Sequence, residues 1–118
     1  MDYKDFYIDK DTEINSLRIL INQCWKTLPI FEGKDKNNLI VHSREEAYNN
    51  YQKHLVFLTT KILGVSEVWK NNQHYLELLY MVVGMKNIEE EDHNSVKYLV
   101  HHCTKLLNNM IEEIEDAS

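Results

Sequence analysis

Apolar residues recur at intervals of three and four along most of the chain, which is the spacing of helices that bury one face. The predicted helices cover about Thr12 to Thr27, Ser43 to Gly64, Glu67 to Lys86 and Glu89 to Asp116. This pattern predicts an all-α, single-domain four-helix bundle with a long connection between helices 1 and 2.

Residues 1–10 precede the first predicted helix and mix three aromatic residues with acids and lysines. Chain termini are mobile unless side chains tie them down. We therefore expect this segment to be a docked or a flexible N-terminal arm. The whole chain, residues 1–118, is of a size that folds as one helical-bundle domain.

The first helix is expected to end before Pro29, because the residue preceding a proline avoids the helical conformation. The connection from Pro29 to His42 places a polar turn between two short apolar runs, which predicts a small hairpin or an extended crossover. A fully extended connection of this length is longer than helix 1. We therefore expect helices 1 and 2 to lie parallel.

Helices 2 and 4 have the clearest single faces. Ser43 and Glu46 form a capping box at the start of helix 2. The tight turn at Val65 and Ser66 makes helices 2 and 3 an antiparallel pair. The inner stripe of helix 2 is Tyr48, Tyr51, Leu55, Leu58 and Ile62. The stripe of helix 4 is Val96, Val100, Cys103, Leu107, Met110 and Ile114.

Helix 3 is the most apolar stretch and carries two stripes on opposite sides. The stripe predicted to face the core is Trp69, Leu76, Leu79 and Val83. The second stripe is His74, Leu78, Met81 and Met85. A helix that is apolar all round is either enclosed by its neighbours or covered by a second molecule. Under the second interpretation these four residues, with the outward-facing Phe57 and Tyr98, form a partner-binding surface.

Composition narrows the classes of partner. Thirteen basic and nineteen acidic residues give a net charge of -6, so the global field repels nucleic acid, although a local basic patch is compatible with it. The apolar run from Tyr75 to Met85 is too short to insert across a membrane. The N-terminus has no apolar signal-peptide core, so we expect a cytoplasmic protein.

Candidate chemistry is sparse, and no catalytic residue, metal site or cofactor is predicted. Cys24 and Cys103 lie on core stripes, where buried thiols are the expected state. A di-iron bundle needs two Glu-x-x-His motifs, and only Glu90 to His93 has that order. The pair His101 and His102 is expected to face solvent. Asp9 to Glu13 lacks the central glycine and the final glutamate of a calcium loop.

One histidine invites comparison with phosphotransfer domains, which are helical bundles with an exposed histidine. Those domains place a lysine and a glycine three and four residues after that histidine, whereas His54 is followed there by Phe57 and Leu58.

The leading hypothesis is therefore binding to a protein partner or to a second copy, as in a regulator, inhibitor or immunity or antitoxin-type modulator. The alternative is a histidine-using bundle enzyme or a metal or phosphotransfer sensor.

Overall fold

The computed structural model describes residues 10–116, and the regular elements over that range are five helices. The helices are α1 (Lys10–Glu32), α2 (Arg44–Leu63), α3 (Ser66–Trp69), α4 (Gln73–Met85) and α5 (His93–Asp116). The all-α prediction is therefore confirmed for the described residues. Most of the predicted N-terminal arm lies outside them, and none of the described helices is both long and apolar enough to cross a membrane.

Helix α1 runs through Pro29, so the prediction that it ends before this proline is wrong. Proline removes one backbone donor, and near the end of a helix the loss is small enough for tertiary packing to override it. Packing here comes from Phe31, whose buried ring meets Tyr51 edge to face at 4.8 Å between centroids. The helix ends at Glu32, and Gly33 follows it in a Schellman motif, in which the amide of Lys34 donates to the Pro29 carbonyl at 2.8 Å.

The connection folds back on itself, which corrects the expected parallel order of the first two long helices. The Gly33 carbonyl accepts from the Val41 amide at 2.9 Å, and Lys34 bridges Ile40 in antiparallel fashion. The hairpin interpretation is therefore the correct one. Because its ends meet, the end of α1 lies beside the start of α2. The Gln23 carbonyl of α1 lies 2.9 Å from the His54 Nε2 atom of α2, and the two helices are antiparallel.

The predicted third helix is divided in two. The turn at Lys70–Asn72 separates α3 from α4. Asn72 caps α4 by accepting from the Tyr75 amide at 3.1 Å, and its side-chain amide donates to Glu113 on α5 at 2.6 Å. A strong N-cap competes with helix continuation, because its side chain satisfies donors left free at a new helix start. Ser66 lies inside α3 and does not cap it.

Helices α2 and α5 bury the faces that their stripes predict. The Ser43 hydroxyl accepts from the Glu46 amide at 3.2 Å, which is one half of the predicted capping box, while the Glu46 carboxylate lies 3.3 Å from His42. Tyr48 lies half-buried at the edge of the α2 stripe, and the remaining predicted positions of that stripe are buried. All six predicted positions of the α5 stripe are buried, as follows: Val96, Val100, Cys103, Leu107, Met110 and Ile114.

The long helices surround one core, and each packs mainly against two neighbours. Helix α1 contacts α2 and α5, while α4 contacts α5 and α2. His93 at the start of α5 lies 3.0 Å from Glu32 at the end of α1, so that pair is antiparallel too. The pair α1 and α5 thus forms one edge of the molecule, and the pair α2 and α4 forms the opposite edge.

Tyrosine hydroxyls join α2 to α4 at helix ends. The last carbonyls of a helix lack intrahelical partners and need donors from elsewhere. The Tyr51 hydroxyl donates to the Met85 carbonyl at 2.7 Å, and the Tyr48 hydroxyl donates to the Ile88 carbonyl at 2.7 Å. At the other end, Tyr75 donates to the Ile62 carbonyl at 3.0 Å. These bonds set the rotation of α4 against α2.

Replacing Tyr51 with phenylalanine is expected to lower the free energy of unfolding at neutral pH by about 1 kcal/mol, because the Met85 carbonyl loses its short bond from the hydroxyl and keeps only the bond from the Ile88 amide at 3.3 Å. Burial and the nearby Tyr48 raise the pKa of the Tyr51 hydroxyl. The unfolded tyrosine ionises near its ordinary pKa of about 10. The stability that the protonated Tyr51 hydroxyl contributes is therefore complete below about pH 10. It is lost progressively as the pH rises from there toward the raised pKa of the folded state.

Urea titrations at pH 7 and in steps above pH 9 measure both effects. The Tyr51→Phe variant should lose less stability than the unmodified protein between pH 9 and pH 11. Equal losses across that interval would show that the Tyr51 hydroxyl is not the group whose ionisation matters.

Candidate functional site

Helix α4 exposes Leu76 and Val83, two residues that its sequence suggested as core, while Leu79 of the same stripe packs against the core. Leu78 is 0% exposed, and Tyr75, Val82 and Met85 are also buried. Leu76 is 43% exposed and Tyr80 is 80% exposed, with Val83 exposed beside them. The expectation that Leu78 and Met85 face outward is therefore wrong, and His74 and Met81 are only partly exposed.

The break before α4 explains this reversal. A continuous helix from Glu67 would place Leu76 and Val83 on the same stripe as Trp69, and Trp69 is indeed buried. The turn at Lys70–Asn72 ends that helical phase, so the burial of Trp69 carries no information about α4. The Trp69 indole donates to Glu13 in the first turn of α1 at 2.5 Å, so α3 contacts the start of α1.

The two outward aromatics are exposed as predicted, but they do not join the α4 residues. Phe57 lies on α2 between His54 and Lys61, with the Lys61 ammonium 5.3 Å from its ring centroid. Tyr98 lies on α5, stacked on His102 at 6.1 Å between centroids. The six predicted partner-binding residues are thus divided between the core and separate surfaces.

A different apolar surface lies along the outer rim of the groove between α2 and α4. We name it the α2–α4 face and define it by Val56, Leu63, Leu76, Tyr80 and Val83, all of which are exposed. The register of the two helices brings them together. Gln52 donates to the Lys86 carbonyl at 3.0 Å at one end, and Tyr75 reaches Ile62 at the other.

Helical spacing then aligns the exposed residues between these two anchors. Val56 lies one turn after Gln52, and Val83 lies one turn before Lys86, so they are opposite each other across the groove. Leu63 directly follows Ile62, and Leu76 directly follows Tyr75, so they meet at the other end. Tyr80 projects from the middle of α4. The resulting surface is a strip about two helical turns long.

Charge is nearly absent from this strip. Helix α4 contains a single charged residue, Glu77, and α2 has none from Leu55 to Thr60. The largest contiguous apolar patch on a monomer is often an interaction site. A hydrophobic stripe was recognised on α4 from the sequence, but its side was wrong, and the contribution of α2 was missed because it needs the register between the two helices.

Gly84 adds a second, independent observation. It lies one turn after Tyr80 on the exposed side of α4, and a Cβ atom built there meets nothing within 4 Å. Glycine inside a helix costs roughly 0.5 to 1 kcal/mol relative to alanine. No contact within the described fold requires the missing side chain. A small residue beside Tyr80 does permit close approach by another backbone.

The histidines suggested as chemical groups have separate local roles. His54 contacts the Gln23 carbonyl, and His74 lies 3.3 Å from Glu113. His101 meets Trp25 edge to face at 4.8 Å between centroids. Residues 10–116 contain no group of three or more His, Cys, Asp or Glu side chains arranged to hold a metal ion. The histidine-based alternative gains no support from this arrangement.

The Glu90 to His93 motif opens onto a cleft rather than a metal site. The cleft has a volume of about 470 Å³ and lies where the ends of α1 and the connection meet the start of α5. His93 pairs with Glu32 instead of Glu90, and Glu32 also pairs with Lys34. Arg44 pairs with Glu91 at 3.6 Å. The cleft charges are therefore largely neutralised by ion pairs that hold adjacent segments together.

The cysteines are buried in the core between α1 and α5, as their stripes predict. A hydrogen bond with the Cys24 thiol, together with burial, raises the pKa of the Cys103 thiol. Thiolate is the reactive form of cysteine, so a raised pKa makes Cys103 a poor nucleophile. The two cysteines therefore pack in the core as small apolar side chains.

Among the surfaces and clusters described above, the α2–α4 face is the best candidate site.

Comparison with protein-family models, with curated proteins and with solved structures finds no match for this chain.

Proposed function

We propose that this chain acts by binding another protein through the α2–α4 face, as a small regulator, inhibitor or immunity or antitoxin-type modulator. The observation that carries the proposal is the exposed, nearly charge-free strip along α2 and α4. Covering a large apolar side chain with a partner releases about 1.5 to 3 kcal/mol. Tyr80, with its amphipathic ring at the centre of the strip, is of the type that dominates binding energy at interfaces.

The proposal also covers the arrangement of the helices and the location of the protein in the cell. The antiparallel order of the long helices supports an up-and-down four-helix bundle, in which the hairpin from Gly33 to Ser43 closes one end. A bundle of this kind covers one face of each helix and leaves outer faces for partners. A cytoplasmic location, and nucleic acid as an unlikely partner, both stay predictions.

Site-specific photo-crosslinking in the cells that produce the protein tests the binding surface. A benzoylphenylalanine at position 80 should give one defined protein adduct. The matched control carries the same probe in place of Ile19, an exposed apolar residue of α1 that lies outside the face. Adding the substitution Leu76→Glu to the position-80 protein should reduce its adduct at least tenfold. The free energy of unfolding should change by no more than about 0.5 kcal/mol.

The mass of the adduct separates a second copy of the chain from a different protein. Either identity agrees with protein binding, provided that the adduct depends on Leu76. Identical adducts from positions 80 and 19, or an adduct that survives Leu76→Glu, would contradict the assignment of this face.

A further inference from the structure

The charges of this acidic chain are unevenly distributed along α1 and α5. No acidic residue lies between Glu13 and Glu32, and none lies between Asp92 and Glu112. Four basic residues occupy these stretches, as follows: Arg18, Lys26, Lys97 and Lys105. The middle of both helices is therefore positive although the whole chain carries a charge of -6.

The fold brings these two stretches side by side. Helices α1 and α5 are antiparallel neighbours, joined at one end by Glu32 and His93 and at mid-length by the contact of Trp25 with His101. From this register, one exposed surface collects Arg18, Trp25, Lys97, Tyr98, His101 and Lys105. We name it the α1–α5 face.

The basic groups of this face make no ion pair within residues 10–116, and only Arg18, which lines a cleft with Asp11 and Glu115, has acidic side chains at its own cleft. The ion pairs among residues 10–116 engage Lys34, Arg44, Lys70 and three histidines, but not Arg18, Lys97 or Lys105. The aromatic members are exposed as well, with Trp25 at 40% and Tyr98 at 65%. Tryptophan, tyrosine and arginine are the residues most enriched among energetic hot spots of protein interfaces.

We propose that the α1–α5 face binds a short acidic segment of a partner protein. Carboxylates of that segment pair with Arg18, Lys97 and Lys105, and Arg18 can hold a carboxylate through two parallel hydrogen bonds. Trp25 and Tyr98 cover the apolar side chains between the carboxylates. This face lies on the edge opposite the α2–α4 face, so the two surfaces can be occupied together.

The length of the positive surface favours a peptide segment over nucleic acid. The acid-free stretch of α5 spans about 27 Å at 1.5 Å per residue. It is bounded by acidic groups, with Glu89 to Asp92 before it and Glu112 to Asp116 after it. A longer polyphosphate chain would meet these acids at either end, whereas a segment with two or three carboxylates fits between them.

Fluorescence anisotropy with the full chain tests the proposal directly. The probe is a fluorescein-labelled peptide of three glutamates interrupted by two leucines, compared with a labelled fifteen-nucleotide oligothymidine. The double variant Lys97→Glu with Lys105→Glu should weaken peptide binding at least tenfold. The matched control, Lys53→Glu with Lys86→Glu, alters net charge equally on α2 and after α4, and should change binding less than threefold.

A second double variant, Lys97→Gln with Lys105→Gln, removes the two charges without reversing them and should also weaken peptide binding. Thermal melts of every variant show whether each one is folded. Tighter binding of oligothymidine than of the peptide would overturn the proposal in favour of a nucleic-acid surface. Equal losses of peptide affinity in the two charge-reversed variants would show that net charge alone is responsible, and would overturn the assignment of the α1–α5 face. No peptide binding at millimolar concentration would also overturn it.

Discussion

Replacing Leu78 with alanine is expected to lower the free energy of unfolding by about 3 kcal/mol. The side chain is 0% exposed and lies in the middle of the buried face of α4. Truncation removes buried methyl groups and leaves a cavity that the neighbouring helices only partly fill, which places such changes between roughly 2 and 5 kcal/mol. Urea titration followed by circular dichroism measures the loss.

The matched control is Leu76→Ala, two residues away on the same helix. Leu76 is 43% exposed and borders the α2–α4 face, so its truncation should cost less than about 1 kcal/mol. The pair of variants therefore reports the rotation of α4. A larger loss from Leu76→Ala than from Leu78→Ala would mean that the opposite stripe faces the core.

Replacing Gly33 with alanine is expected to destabilise the protein by about 2 to 3 kcal/mol, which combines backbone strain with a steric clash. Gly33 has a φ of 72°, in the left-handed region that residues with a Cβ atom avoid. The added Cβ would also lie 3.0 Å from the His42 carbonyl oxygen and 3.1 Å from the Ala47 Cβ. Both neighbours belong to the hairpin or to the start of α2, so relief requires the connection to move.

The same chemical change at Gly84 should have the opposite sign. An alanine there meets nothing within 4 Å, and it limits the unfolded chain while improving helix propensity. We expect a gain of about 0.5 to 1 kcal/mol. Thermal melts of the two variants side by side provide the comparison. A gain at Gly33, or a loss at Gly84, would contradict the backbone geometry described for that position.

The Gly84 variant also informs the proposed function. If the glycine serves close approach by a partner, Gly84→Ala should stabilise the free protein while weakening the position-80 adduct. Such a combination is the usual mark of a residue kept for binding at some cost in stability. The α2–α4 face can thus be tested in a variant that keeps its fold.

The candidate site was only partly predictable from sequence. The exposure of Phe57 and Tyr98 follows from their positions opposite the stripes of α2 and α5, and it was predicted correctly. The burial of Leu78 and Met85 was not, because α4 has apolar residues on both sides and periodicity alone does not rank them. The α1–α5 face needed a further step, since charge segregation is visible in the sequence but the contact between those helices is not.

The sequence by itself determined the elements whose signals are local. In α2 the Ser43 cap and a single apolar stripe agree, and in α5 a heptad stripe from Val96 to Ile114 leaves one choice of buried face. Tertiary structure decided the rest. Phe31 packing against Tyr51 carried α1 through Pro29, the bond from Asn72 to Glu113 of α5 fixed the break between α3 and α4, and the hydroxyl bonds of Tyr51 and Tyr75 fixed the rotation of α4. Each of these outcomes depends on partners distant in the chain, whose energies exceed the local preferences that they override.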